Sequence, residues 1–100
     1  MKEPFSFEAG RVVQSIQGRD KGKYFIVLNP LEEGYVAVAD GQYHKLAAPK
    51  RKKMKHLWAK PVLLNLENLR PEGGQLQDSD LRRALENHGF SLTNSLCKEG

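Results

Sequence analysis

The most distinctive chemistry in this sequence is a local concentration of positive charge. Residues 45–60 contain seven Lys or Arg and no Asp or Glu, whereas residues 1–44 sum to −1 and residues 61–100 to −2. The net charge of +4 therefore comes from this one stretch, which is called the basic segment below. Dispersed charge keeps a protein soluble, but a block of one sign repels itself and is typical of a surface that meets a polyanion.

Cationic side chains in such a block can neutralise phosphates, and each neutralised phosphate releases condensed counterions. The candidates for contact with a nucleic acid in the basic segment are Lys45, Lys50, Arg51, Lys52, Lys53, Lys55 and the neighbouring His56. The segment could also be a solvated flexible linker or a patch for anionic lipid. A lipid-binding patch would lack the acylation signal or membrane helix that stable anchoring normally adds to basic residues.

A second cationic site is predicted in residues 18–23, called the 18–23 loop below. It contains three cations and two glycines, namely Arg19, Lys21, Lys23, Gly18 and Gly22. Glycines permit a tight backbone path and close approach of a partner, so the loop could meet phosphates with side chains and backbone amides. The structural alternative is that the glycines serve the turn and that Asp20 pairs with its basic neighbours.

Aromatic side chains near these cations could stack on unpaired bases, as they do in proteins that bind single strands. Tyr24, at the rim of the 18–23 loop, and His56, next to Lys55, are the better candidates, and Tyr43 is a further one. Trp58 is the sole tryptophan in a chain short of large core residues. We therefore expect Trp58 to lie mainly in the core.

No catalytic or metal-binding pattern is found, so we expect neither an enzyme nor a cofactor, metal or small-molecule substrate. His44, His56 and His88 lie far apart in the sequence without the spacing of metal ligands. Cys97 is the single cysteine, which excludes an internal disulfide and a cysteine-rich zinc site. No apolar run approaches the length of a membrane span, and residues 1–10 lack signal-peptide order, so a cytoplasmic protein is expected.

The elements that must position these residues are mainly strands. Short-period apolar patterns predict strands at residues 10–16, 23–28, 35–39 and 42–46, with a fifth at 56–60 or continuing through 62–64. In the third strand, Val36 and Val38 are expected on the opposite face from their neighbours. Asp40-Gly41 is typical of a two-residue type I′ hairpin turn. Pro61 indicates an edge strand or a break.

Past residue 64 the pattern changes to loop and helix. A short helical turn is expected around residues 64–69, followed by a helix of about 9 to 10 residues that starts near Asp78 and stops at Gly89. Its apolar stripe of Leu81, Ala84 and Leu85 must dock on another element, because so short a helix is marginal alone. One hundred residues allow a single core, so we expect a small β-barrel over residues 1–64 and an appended, dependent segment over 65–100.

Parts of the sequence resemble the KOW motif of ribosomal proteins and transcription-elongation factors. The resemblance rests on Gly10-Arg11-Val12-Val13, the 18–23 loop, the apolar strand that follows it, Val38-Ala39-Asp40-Gly41 and Pro49-Lys50-Arg51-Lys52-Lys53. It covers residues 8–60, with a weaker echo in residues 80–85. The arrangement is similar to that of small bacterial KOW-domain RNA-binding proteins related to archaeal and eukaryotic large-subunit ribosomal proteins.

The resemblance implies a mainly β fold, a small SH3-like antiparallel barrel with a short C-terminal helical segment. It also implies an RNA-binding, ribosome- or translation-associated function in which the barrel presents the 18–23 loop and the basic segment to ribosomal RNA, with ribosomal proteins as further partners. The alternative is a protein-interaction module that docks on a ribosomal or transcription component, because SH3-like barrels also bind peptides and fold alone does not decide function.

Overall fold

Five strands and two short helices follow one another in the computed structural model, which describes residues 6–71 and 73–90. The strands are β1 (Arg11–Ser15), β2 (Tyr24–Pro30), β3 (Tyr35–Ala39), β4 (Lys50–Lys53) and β5 (Leu57–Leu63). A 3-10 turn at Met54–His56 joins β4 to β5, and the helices are α1 (Leu66–Leu69) and α2 (Asp78–Asn87). The predicted first, second, third and fifth strands, the short helical turn and the ten-residue helix are confirmed.

All strand pairs are antiparallel, and the strands lie in the order β4-β3-β2-β1-β5. In a flat sheet β4 and β1 would lie about 14 Å apart, at about 4.8 Å per strand. Lys52 Nζ on β4 nevertheless lies 3.1 Å from Ser15 Oγ on β1, so the sheet is strongly curled. No ladder joins the edge strands β4 and β5 within the described residues, so the sheet is not closed.

The fourth strand lies in a different place from the one predicted. Residues 42–46 form a loop, because the Asp40 carboxylate accepts hydrogen bonds of 2.9 Å from the backbone N–H groups of Gln42, Tyr43 and His44. This side-chain capping replaces the expected two-residue hairpin turn at Asp40-Gly41. The fourth strand is instead Lys50–Lys53, within the basic segment, where it pairs with β3.

Two hydrophobic clusters lie on opposite faces of the sheet, as strand alternation requires. The inner cluster comprises Val13, Phe25, Val27, Val36, Val38, Leu57 and Ala59. The outer cluster comprises Val12, Ile26, Ala39, Leu81 and Leu85. The leucine stripe of α2 therefore docks on the sheet, as predicted, and the structure places it on the outer face. The expected orientation of Val36 and Val38 away from Ala39 is also confirmed.

The loop of residues 40–49 and the start of α2 are fixed against each other. Asp78 Oδ1 accepts a hydrogen bond of 2.7 Å from the backbone N–H of Leu46. Gly41, with φ +79°, leaves no room for a side chain, because a Cβ there would lie 2.1 Å from the carbonyl oxygen of Asp78. At the start of the helix, the backbone N–H of Gln77 donates a hydrogen bond of 2.9 Å to Asp80 Oδ2. The position of α2 over the sheet therefore depends on this close backbone contact.

The fifth strand contains Pro61 and is an edge strand, as the sequence indicates. It pairs with β1 only, and the register between the two strands shifts between Arg11 and Val13. An edge position and an irregular register accommodate a residue that has no N–H to donate. Within the described residues, neither helix is long and apolar enough to cross a bilayer. Cys97 lies outside the described residues.

Candidate nucleic-acid interface

The strand geometry of β4 divides the basic segment between two faces. Arg51 and Lys53 lie on the outer face, where the Arg51 guanidinium carbon is 3.8 Å and the Lys53 ammonium 5.8 Å from the ring centroid of Tyr35. Lys53 pairs with Tyr35 in the ladder, so the three side chains form one group. Both cations are exposed. They therefore combine positive charge with an aromatic support.

Lys52 points the opposite way and is already neutralised within the protein. Only 10% of its side chain is exposed, and its ammonium lies 3.7 Å from Asp20 Oδ2 in addition to the contact with Ser15. Lys50 lies on the same side of the strand by alternation but is exposed. The basic segment thus does not present one continuous face, because strand periodicity turns alternate side chains in opposite directions.

Asp20 forms the centre of a charge cluster that joins three parts of the chain. Its carboxylate lies 3.8 Å from Lys23 Nζ, 3.7 Å from Lys52 Nζ and 3.7 Å from His44 Nε2, and its side chain is 13% exposed. Pairing of Asp20 with a basic neighbour was the structural alternative for the 18–23 loop, and the contact with Lys23 bears it out. The contacts with Lys52 and His44 come from distant segments, and no sequence signal indicated them.

The 18–23 loop is a hydrogen-bonded turn whose glycines serve backbone conformation. Gly18 and Gly22 have φ values of +84° and +92°, and a Cβ at either position would meet nothing within 4 Å. The N–H of Gly22 donates to the carbonyl of Ser15 at 2.8 Å, which ties the loop to β1. Arg19 and Lys21 are exposed. Of the three predicted cations in the loop, these two are available to a partner, whereas Lys23 is paired with Asp20.

The other candidate residues lie around this group. Lys45 is exposed in the loop of residues 40–49, Lys55 is exposed in the 3-10 turn, and His56 beside it is half-buried. Among the residues that the structure describes, the exposed candidates that form no ion pair with a carboxylate are Arg19, Lys21, Lys45, Lys50, Arg51, Lys53 and Lys55. Lys50, Arg51 and Lys53 lie in β4, and Lys55 lies in the 3-10 turn that follows it. Among the described residues, exposed cations without an ion pair are therefore concentrated at this edge of the sheet.

The aromatic candidates are arranged differently from the sequence expectation. Trp58 is 47% exposed, so its predicted place in the core is wrong. The reason is alternation, since Leu57 and Ala59 occupy the inner cluster and Trp58 between them must face outward. Tyr24 is half-buried, with its ring 4.8 Å from that of Phe90. Tyr43 is 54% exposed, and Lys23 Nζ lies 4.1 Å from its ring centroid.

Comparison with known proteins does not assign the chain to a family. No protein-family model matches the chain, and no curated protein matches its sequence significantly. The resemblance to the KOW motif consequently rests on the residues quoted for it.

Proposed function

We propose that this protein binds RNA, and ribosomal RNA in particular, through the exposed cations of β4, the 3-10 turn and the 18–23 loop. The observation that carries the proposal is the edge strand Lys50–Lys53, which continues into Lys55. Four exposed cations on this edge form no ion pair among the described residues. Such a surface favours a polyanion, because releasing the counterions of a phosphate backbone supplies a large share of the binding free energy.

The arrangement around Arg51 supports phosphate contact in particular. A guanidinium that stacks on an aromatic ring keeps its N–H donors in its own plane, at the edge of the stack, where they can reach a phosphate. Arg51 lies over Tyr35, with its guanidinium carbon 3.8 Å from the ring centroid. The tyrosine holds the cation in place, so less side-chain entropy is lost when a phosphate binds.

The fold proposed for this function is the SH3-like barrel of KOW domains. Two features support it: the strand order β4-β3-β2-β1-β5 and the single 3-10 turn that links the two edge strands of a curled sheet. This arrangement brings the 18–23 loop and β4 together through Asp20, which contacts Lys23 and Lys52. The two cationic sites are therefore neighbours in the fold, although β4 turns Arg51 and Lys53 to the opposite face from Lys52.

A protein-interaction module is the second candidate, and the open edge of β4 favours it. Within the described residues β4 pairs with β3 alone, and an extended peptide could add a strand there. Lysines on an edge strand also discourage such pairing, however, because burying their charges against another sheet is unfavourable. The density of Lys and Arg on this edge therefore favours RNA over a β-strand partner.

The test is a salt titration of ribosomal RNA binding, measured by filter binding or fluorescence anisotropy. The variant R51Q/K53Q removes two exposed cations from β4, and the matched control R70Q/R83Q removes two from the C-terminal helical part of the chain, where each pairs with a carboxylate. We expect the slope of log K against log salt to become shallower by about 1.4 for single strands or 1.8 for duplex in the β4 variant only. Equal behaviour of both variants, or no RNA binding by the unmodified protein, would contradict the proposal.

A further inference from the structure

The outer face of the sheet is covered by α2 along only part of its length. Leu81 and Leu85 of the helix cover the row formed by Val12, Ile26 and Ala39. The next row on the same face, two residues further along β1, consists of Trp58, Gln14 and Tyr24, paired across β5, β1 and β2. In this second row Tyr24 packs against Phe90, whereas Trp58 keeps 47% of its surface exposed.

Cationic and aromatic neighbours surround this second row. Lys60 follows Trp58 by two positions and so lies on the same face, with its ammonium 6.0 Å from the Tyr24 ring centroid. Tyr43, 54% exposed, lines the same small cavity as Tyr24 and Phe90. Exposed aromatic rings beside a cation are typical of a binding site.

We propose that Trp58, Tyr24 and Tyr43 form an aromatic platform on which unpaired bases of single-stranded RNA stack, while Lys60 holds a flanking phosphate. This inference rests on the proposed function and specifies the form of RNA that the protein prefers. Aromatic rings stack on any base because every base has a π face, so the platform selects unpaired bases without reading their sequence. The RNA would then be a loop, a bulge or a single-stranded end.

The charge around the platform favours RNA over an apolar partner. An apolar helix or peptide laid across the row would have to bury the ammonium of Lys60, which costs free energy when it is left unpaired. An RNA strand instead supplies a phosphate for the ammonium and bases that stack on the exposed rings of Trp58 and Tyr43. A regular RNA duplex cannot use the rings, because its bases are already stacked on one another.

The sole tryptophan makes the inference directly measurable. The fluorescence of Trp58 is to be followed in the full-length protein during titration with a short oligouridine, the same oligonucleotide without bases, and an RNA duplex of equal length. Quenching is expected with oligouridine and with neither of the other two. Trp58→Ala should weaken oligouridine binding roughly five- to 150-fold and leave binding of the abasic strand unchanged. Trp58→Phe, which keeps a ring, should retain most of the affinity.

The control variant is Leu63→Ala, which removes an equally exposed apolar side chain (49%) from the same strand. It should bind all three RNAs as the unmodified protein does. Binding of oligouridine and the abasic strand with equal affinity and no quenching would overturn the platform while leaving the proposed function intact. Absence of binding to all three would overturn both. Protection of Trp58 from acrylamide in the RNA-free protein would also refute the platform, because the chain itself would then cover it.

Discussion

Two neighbouring lysines of β4 should respond to the same substitution in opposite ways. Lys52 has a side chain that is 10% exposed and contacts Ser15 and Asp20, at 3.1 and 3.7 Å. Lys53 is exposed and forms no ion pair with a carboxylate among the described residues. Lys52→Gln is therefore a change inside the fold, and Lys53→Gln is a change on the surface that we propose for RNA.

The magnitudes follow from these surroundings. Lys52→Gln removes a partly buried cation from the Asp20 cluster and should lower the free energy of unfolding by about 1–2 kcal/mol. Lys53→Gln should change stability by less than about 0.5 kcal/mol. For RNA binding the order reverses, because Lys53→Gln removes one phosphate contact and makes the salt slope shallower by about 0.7 to 0.9. Lys52→Gln should leave that slope unchanged.

The assay combines urea unfolding with anisotropy titrations of labelled RNA between about 50 and 200 mM salt. With four phosphate contacts to a single strand, the unmodified protein should lose about 50-fold in affinity over this range, and Lys53→Gln about 20-fold. The reasoning would be refuted if both variants changed the slope equally, or if Lys53→Gln were the destabilised one. Either result would mean that the alternation of β4 does not divide its cations as described.

Three further predictions concern the parts of the fold that hold this surface. Asp20→Ala should lower the free energy of unfolding by about 1–2 kcal/mol. It should nevertheless strengthen RNA binding, since it frees cations that the carboxylate now neutralises. Urea unfolding measures the expected loss of stability, and fluorescence anisotropy measures the expected gain of affinity. Gly41→Ala should destabilise the protein by more than Gly34→Ala, although both glycines have φ +79°, because only at Gly41 would the new Cβ meet backbone atoms. An equal loss of unfolding free energy for the two variants in denaturant titrations would contradict this prediction. Leu81→Ala should lower the free energy of unfolding by about 2–5 kcal/mol, because the Leu81 side chain is fully buried. Leu63→Ala should lower it only slightly, because Leu63 is exposed. Equal urea midpoints for the two variants would argue against the docking of α2.

The strands and the helix that local pattern specifies were predictable from the sequence. Alternation of branched and aromatic residues marked β1, β2 and β3, and the stripe of Leu81 and Leu85 marked both α2 and the face it buries. The fourth strand was missed because its residues, all Lys or Arg, have no strand preference of their own. Lys50–Lys53 is a strand because β3 offers it hydrogen bonds, which is a tertiary effect.

The candidate site was predictable in composition but not in arrangement. The count of charged residues located the basic segment. That Arg51 and Lys52 point to opposite faces depends on β4 being a strand, which the sequence pattern did not predict. The cluster at Asp20 joins residues distant in the sequence and could not be seen without the fold. The exposure of Trp58, by contrast, was available from the alternation Leu57-Trp58-Ala59, which places the tryptophan opposite two inward residues.

Mapping of backbone amide and indole N–H shifts by NMR, on addition of ribosomal RNA fragments to the full-length protein, tests RNA binding by this surface most directly. We expect the largest shifts at Lys50–Lys53, at Lys55, in the 18–23 loop and at the Trp58 indole, with the exposed side of α2 unchanged. Shifts confined to α2, or none at RNA concentrations that saturate other RNA-binding domains, would contradict RNA binding by this surface.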